Sequence, residues 1–290
     1  MLRSYDIHES IMEQLSLNNL HWYSLTCKAI YDEVQGHYKH NYSLNPILKL
    51  FIPSEYIPAF HRLQKKYRPV ISGSVALQFL TRVTYPESDL NLYVKYACAF
   101  EVGKWLELEV GCTVLDFHGE ACPFYHTFLR CNYSFKGMHA VFSFLSPINL
   151  RKVQLIICWC NVIEVILSFH STIIMNVITV SYAYSFHGEE TLERKISLAV
   201  DRARSAPMNL EAAQRKYSNC GWMMVSTQAV ALQLKAFEGW TARRVGDSKC
   251  WIVRLPAVEG ADVFLTTDPL SKNEWVLVYK FDVPNMTLGL

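Results

Sequence analysis

The chain has no strong excess of charge of either sign. Its 28 Lys and Arg stand against 26 Asp and Glu, a formal net charge of +2. Proteins that wrap duplex nucleic acid carry a marked basic excess, so no duplex partner is expected. Internal repeats and low-complexity tracts are missing too. No apolar leader is expected, because MLRSYDIHESIMEQL is polar by its tenth residue. Nine cysteines, an odd number scattered from Cys27 to Cys250, do not form a disulfide framework. Reduced thiols in a cytoplasmic or nuclear protein are the expectation. Zinc lacks its ligands: Cys158 and Cys160 flank Trp159, with no second pair and no partner histidines nearby. Cys250 has no histidine base near it in sequence and reads as a packed thiol.

A membrane span is also not expected. Residues 165–188 carry no Asp, Glu, Lys or Arg, and a span needs about 20 mostly apolar residues. However, His170, Ser171, Thr172, Asn176 and Thr179 would be costly in hydrocarbon. The stretch 162–180 is therefore predicted to be a long buried helix. His170 and Asn176 on it read as hydrogen-bonded core groups.

What is present is material for a core: 51% apolar and 13% aromatic residues in a chain of 290. That is enough for one large domain or two small ones. Residues 1–50 read as a helical segment, with Ile7, Ile11 and Leu15 on one face, a helix start at Asn18 and Asn19, and a break at Gly36. Pro53 and Pro58 mark a linker. A core follows over 55–186. It opens with a helical stretch at His61–Tyr67, then a short strand at Val70 and Ile71, the turn Ser72-Gly73-Ser74 and a helix over 75–80. Leu90, Leu92 and Val94 alternate with Asp89, Asn91 and Tyr93, as in a half-buried strand. A helix is predicted over 100–110, and strands over 113–117, 135–145 and 152–158. A helical and β extension follows over 187–290, with a charged, helix-prone stretch at 189–216, a hairpin over 244–255 turning at Gly246-Asp247, and a strand over 274–281. Arg194, Lys195, Arg202, Arg204, Arg215 and Lys216 form a basic run there, but interspersed acids make it read as a solvated face. Strands alternating with helices point to an α+β fold around a mixed sheet.

The chemistry is carried by the SGS turn and the strand after it. A glycine before a helix lets a ligand approach the backbone. The helix N-terminus offers unpaired N–H groups to phosphate. Two acids two residues apart on a strand share a face and can hold Mg²⁺ against a triphosphate. Gly73, Ser74 and Asp89 fit this pattern, and Arg82 is a further candidate contact for phosphate.

Gly-Ser followed by acid-x-acid resembles the nucleotidyltransferase signature. A wider match extends it: ISGSVALQF, Arg82, Tyr85-Pro86, SDLNLYV, KVQLI, ILSFHSTIIMNVI, AYSF and RVGDSKCW. Together these resemble a group of uncharacterised fungal proteins of basidiomycete type, with an F-box-like N-terminus and a degenerate nucleotidyltransferase-like core. DIHESIMEQLSLNNLHWYSLTCKAIYDEV resembles the F-box part, without its usual opening Leu-Pro. The resemblance implies a nucleotidyltransferase-like mixed sheet with flanking helices, and no activity that carries over.

The sequence departs from an active enzyme where charge is needed. Asn91 stands at the second acid and supplies no charge. The strand expected to carry the third acid offers Gln154, while Asp116 and Glu164 are possible substitutes. Three readings follow. The first is a non-catalytic nucleotidyltransferase-like protein that keeps nucleotide or phosphate binding at Gly73, Ser74, Arg82 and Asn91, with Mg²⁺ only if a nucleotide is bound. The second is an F-box-like adaptor docking a Skp-type partner and recruiting a target to a ubiquitin ligase. The third is an active Mg²⁺-dependent transferase using Asp89 as metal ligand and catalytic acid residue, with an unrecognised second acid.

Overall fold

The structure is a computed structural model. It describes all residues except 1–3, 86–87, 117, 131–136, 201–214, 226–232, 234–235, 238–240, 257–269, 271, 281–282 and 289–290.

Four helices open the chain: α1 (Ser4–Gln14), α2 (Leu17–Ser24), α3 (Lys28–Asn41) and α4 (Asn45–Leu48). The Ser16 hydroxyl, rather than Asn18 or Asn19, caps α2 by accepting from the Asn19 N–H. Gly36 does not break α3. Open space surrounds the position of its absent Cβ, and one exposed glycine costs a helix only about 1 kcal/mol. Pro58 is no linker residue either. It sits in the first turn of α5 (Ile57–Tyr67), where its missing N–H removes no helical bond.

Strand β1 (Val70–Ser72) then turns at Gly73 into α6 (Ser74–Thr81) and returns as β2 (Leu90–Lys95). After α7 (Tyr96–Lys104) the helix continues as a single wide π turn over Trp105–Glu109. Next come β3 (Thr113–Leu115), α8 (Phe124–Arg130), β4 (Met138–Leu145) and β5 (Lys152–Cys158).

The predicted long helix over 162–180 is wrong. The segment divides into α9 (Val162–Leu167), a 3-10 turn (Thr172–Ile174) and β6 (Asn176–Ile178), followed by β7 (Tyr182–Ser185). The Ser168 hydroxyl bonds back to the Val165 carbonyl where α9 stops. Asn176, Val177 and Ile178 are buried on both faces of the sheet, and a strand buried on both faces loses the alternation that marks it.

The charged stretch 189–216 also departs from the helix expected. A five-residue π turn (Glu189–Glu193) leads into the fully buried β8 (Ile196–Leu198), and a helical turn spans 215–219. Residues 201–214, with Arg202 and Arg204, lie outside the described residues. The last strands are β9 (Met223–Val225), β10 (Ala242–Arg244), β11 (Trp251–Arg254), β12 (Glu274–Lys280) and β13 (Val283–Leu288). The two strands flanking Gly246-Asp247 are not a hairpin: β10 pairs with β12, and β11 pairs with β7. The Asp247 carboxylate explains the difference. It accepts from the Arg244, Lys249 and Cys250 N–H groups, closing a side-chain-centred turn that sends the two strands to different sheets.

Among the described residues, the main sheet has eight strands in the order β11-β7-β6-β1-β2-β5-β4-β3. It is mixed: β2 and β5 run parallel and their other neighbours antiparallel. The fold is α+β, with a large mixed sheet and flanking helices. One face carries Ile71, Leu92, Leu155 and Phe142, packed with residues of α5, α6 and α7 and with Met12, Leu20, Val34 and Tyr38 of the N-terminal helices. The other carries Val70, Tyr93 and Ile156 against α9 and Trp275. Strand β11 belongs to the 187–290 segment yet forms an edge of this sheet, and Val253 shares the first core. No helix among the described residues is long and apolar enough to cross a membrane.

Candidate functional site

The site begins where β1 ends. Gly73 has φ 78° and ψ −149°, a region open in practice only to glycine. A Cβ there would lie 2.9 Å from the Asn91 side-chain nitrogen. The chain can therefore turn into α6 only by laying bare backbone against Asn91. Gly73 brings no capping side chain, so among the described residues the leading N–H groups of α6 have no side-chain acceptor.

The register sets the floor beneath that turn. Ser72 pairs with Asn91, Asn91 with Gln154, and Gln154 with Ser143. Directly paired residues share a face, so these four form a polar row across β1, β2, β5 and β4. It lies on the face opposite Ile71, Leu92, Leu155 and Phe142. The Ser72 hydroxyl is already used, donating to the Asn176 carbonyl at 2.6 Å. Asn91 Oδ1 is buried and has no hydrogen-bond partner. The buried Ser88 hydroxyl, one residue before Asp89, also has none.

Asp89 stands at the mouth of this row. Continuing the parallel register sets it beside Lys152. Burial pushes the Asp89 carboxyl above its ordinary range, while the positive charges of Lys152 and Lys216 pull it partly back. Lys216 reaches the site through its neighbour. Tyr217 packs with Tyr85 and Leu77, so the helical turn carrying Lys216 is held against the segment that leads into Asp89.

Thus Gly73, Ser74, Asp89, Asn91 and Gln154 are gathered at one end of the sheet. Arg82 is not. It lies at the far end of α6, about 12 Å along the axis for eight residues. There it donates to the Asn41 side-chain oxygen at 3.2 Å and covers the Tyr42 ring. Neither substitute acid joins Asp89. Asp116 follows β3, three strands from β2 or about 14 Å across the sheet, and its carboxylate accepts from the His118 and Glu120 N–H groups. Glu164 acts on Cys160, past the opposite end of β5. No group of three or more His, Cys, Asp or Glu among the described residues is placed to hold a metal ion. Cys250 is buried, and its thiol is pushed up to about 11, chiefly by that burial. It is therefore no thiolate nucleophile near neutral pH. Tyr85 is buried in the cluster with Tyr217, while Pro86 lies outside the described residues.

Sequence reasoning missed Lys152 and the pairing of Lys216 with this site. Lys152 does open the KVQLI strand, but its place beside Asp89 depends on a parallel register that no local pattern reveals.

Chemically, the arrangement offers backbone and side-chain donors, two neutral amides, one carboxylate and two ammonium groups. It suits an anionic ligand better than a pair of metal ions. No family model, no curated protein and no solved structure matches the chain.

Proposed function

We propose that this chain is a non-catalytic protein built on a nucleotidyltransferase-like core that keeps weak binding of a nucleotide or phosphate at Gly73, Ser74 and Asn91. The observation that carries this reading is the direct pairing of Asn91 with Gln154 beneath the Gly73 turn. Two-metal phosphoryl transfer needs anionic oxygens there, and two amides supply none. Asp89 alone cannot hold two cations against a triphosphate. Arg82 has no part in this site, since it braces α6 against α3. Isothermal titration of the full chain with ATP or UTP and Mg²⁺ tests the reading. Saturable heat at millimolar ligand is expected, with no transfer of label from nucleotides to RNA or protein acceptors. Absence of heat would remove the binding function. Label transfer lost in Asp89→Ala would make the protein an active transferase instead.

A second reading is favoured by the N-terminal helices. Ile7, Ile11, Trp22 and Leu25 are large, apolar and about half exposed or more, while the inner sides of the same helices fill the core. Large apolar residues left exposed on these helices favour an interaction surface there. An F-box-like segment would use it to dock a Skp-type adaptor. Co-expression with such an adaptor should give a complex that purifies together and is lost in Trp22→Ala/Leu25→Ala. Failure to co-purify would sink this reading.

A further inference from the structure

We infer that the cleft at Gly73-Ser74 holds the phosphate chain of its ligand without a divalent cation, with Lys152 and Lys216 standing in for the metal ions. This rests on the reading above that the turn binds nucleotide or phosphate. It adds the class of group recognised and the source of the neutralising charge.

A triphosphate carries several negative charges, which must be met by metal ions or by protein cations. Mg²⁺ needs anionic oxygens in near-octahedral arrangement, usually from at least one or two carboxylates besides the phosphates. The row beneath the turn offers only Asp89 at its mouth, then Asn91 and Gln154. The cations, by contrast, are in place. Lys152 leads β5 beside Asp89 by register, and Lys216 is brought there by the packing of Tyr217 on Tyr85. Both are exposed, and the Lys216 ammonium lies 5.8 Å from the Tyr217 ring centroid, so each can turn onto a ligand by side-chain rotation. Among the described residues, two lysines act on the one aspartate at the mouth of the site.

The remaining donors point the same way. The first N–H groups of α6 carry no side-chain cap. Asn91 Oδ1 is an acceptor without a donor, and an incoming ammonium or ligand hydroxyl would supply one. In this arrangement Asp89 does not bind the ligand. The charges of the two lysines act on it, and the ligand takes them over when it enters.

The test uses the full-length chain and isothermal titration with ATP and with inorganic triphosphate, each in excess Mg²⁺ and in excess EDTA. Both ligands are expected to bind in EDTA at least as tightly as in Mg²⁺, with similar affinities for the two. Lys152→Ala/Lys216→Ala should weaken both by about tenfold or more, and Asp89→Asn should keep or tighten binding. Both lysines are exposed, and unchanged thermal unfolding of the double variant will confirm that it folds. Binding that needs Mg²⁺ and is lost in Asp89→Asn would overturn the metal-free site while leaving nucleotide binding intact. ATP binding without triphosphate binding would also overturn it, since the phosphate chain would then not be what is held. No binding of either ligand in either buffer would remove the nucleotide reading itself.

Discussion

At the residue scale, two aspartates show how surroundings set a carboxylate's task. Burial raises the Asp89 carboxyl despite two lysines, so its ionised form is kept at a cost. Asp247 is the reverse. Burial pushes it up, but two bonds from the Arg243 guanidinium, at 2.6 and 3.0 Å, and backbone N–H groups outweigh that and hold it below its ordinary range. Arg243 in turn donates to the Phe186 carbonyl at 2.8 Å and lies over the Trp275 ring. A carboxyl lowered by folding stabilises above its unfolded pKa, and the benefit is lost as pH falls through the folded value. Asp247→Ala should therefore destabilise the chain near neutral pH by about 2–4 kcal/mol, since it strands a buried guanidinium. In urea unfolding the gap between the two proteins should narrow as pH drops below the ordinary aspartate range. A gap that stays constant with pH would mean that Asp247 acts through packing alone.

Among elements, the turn between β1 and α6 is the most constrained. Gly73→Ala would put a methyl group 2.9 Å from the Asn91 amide and force an L-residue into positive φ. A loss of about 2–3 kcal/mol is expected in equilibrium unfolding, together with loss of nucleotide binding. This element was legible in the sequence because its signals are local: two β-branched residues, a glycine, then helix formers. The β5 strand was legible too, and the pattern of residues 90–94 placed Leu90, Leu92 and Val94 in the core, but β2 is not half-buried, since Tyr93 on its other face is covered by α9. Residues 162–180 were not legible. A strand buried on both faces and a short buried helix are both continuous apolar runs, and only pairing with β1 and β7 separates them. The turn at Asp247 misled for another reason. Gly-Asp is a hairpin signal only when the backbone closes the turn, and here a side chain closes it.

At the scale of the molecule, the three segments read from the sequence share one core. Met12, Leu20, Val34 and Tyr38 of the N-terminal helices pack with Ile71 and Leu92 of the sheet and with Val253 of the C-terminal segment. The two anchored histidines, His8 on Glu33 and His37 on Glu9, hold α1 to α3 at 2.6 and 2.8 Å. Deleting residues 1–50 should uncover Phe79, Leu80 and their neighbours, each worth about 1.5–3 kcal/mol when buried. The shortened chain is expected to aggregate or to lose its cooperative thermal transition. A soluble product melting like the full chain would mean that the helices are a separable module. The gathering of Asp89, Lys152 and Lys216 also belongs to this scale. It joins residues far apart in sequence through parallel pairing and aromatic packing, so no spacing rule could have found it.

The central claim is that a phosphate-bearing ligand sits on the Gly73 turn. Amide shifts of the isotope-labelled full chain during titration with ATP test it most directly. The account predicts saturable shifts concentrated at Gly73, Ser74 and Val75 and at the Asn91 side-chain amide. Shifts confined to other regions, or none at millimolar ATP, would contradict it.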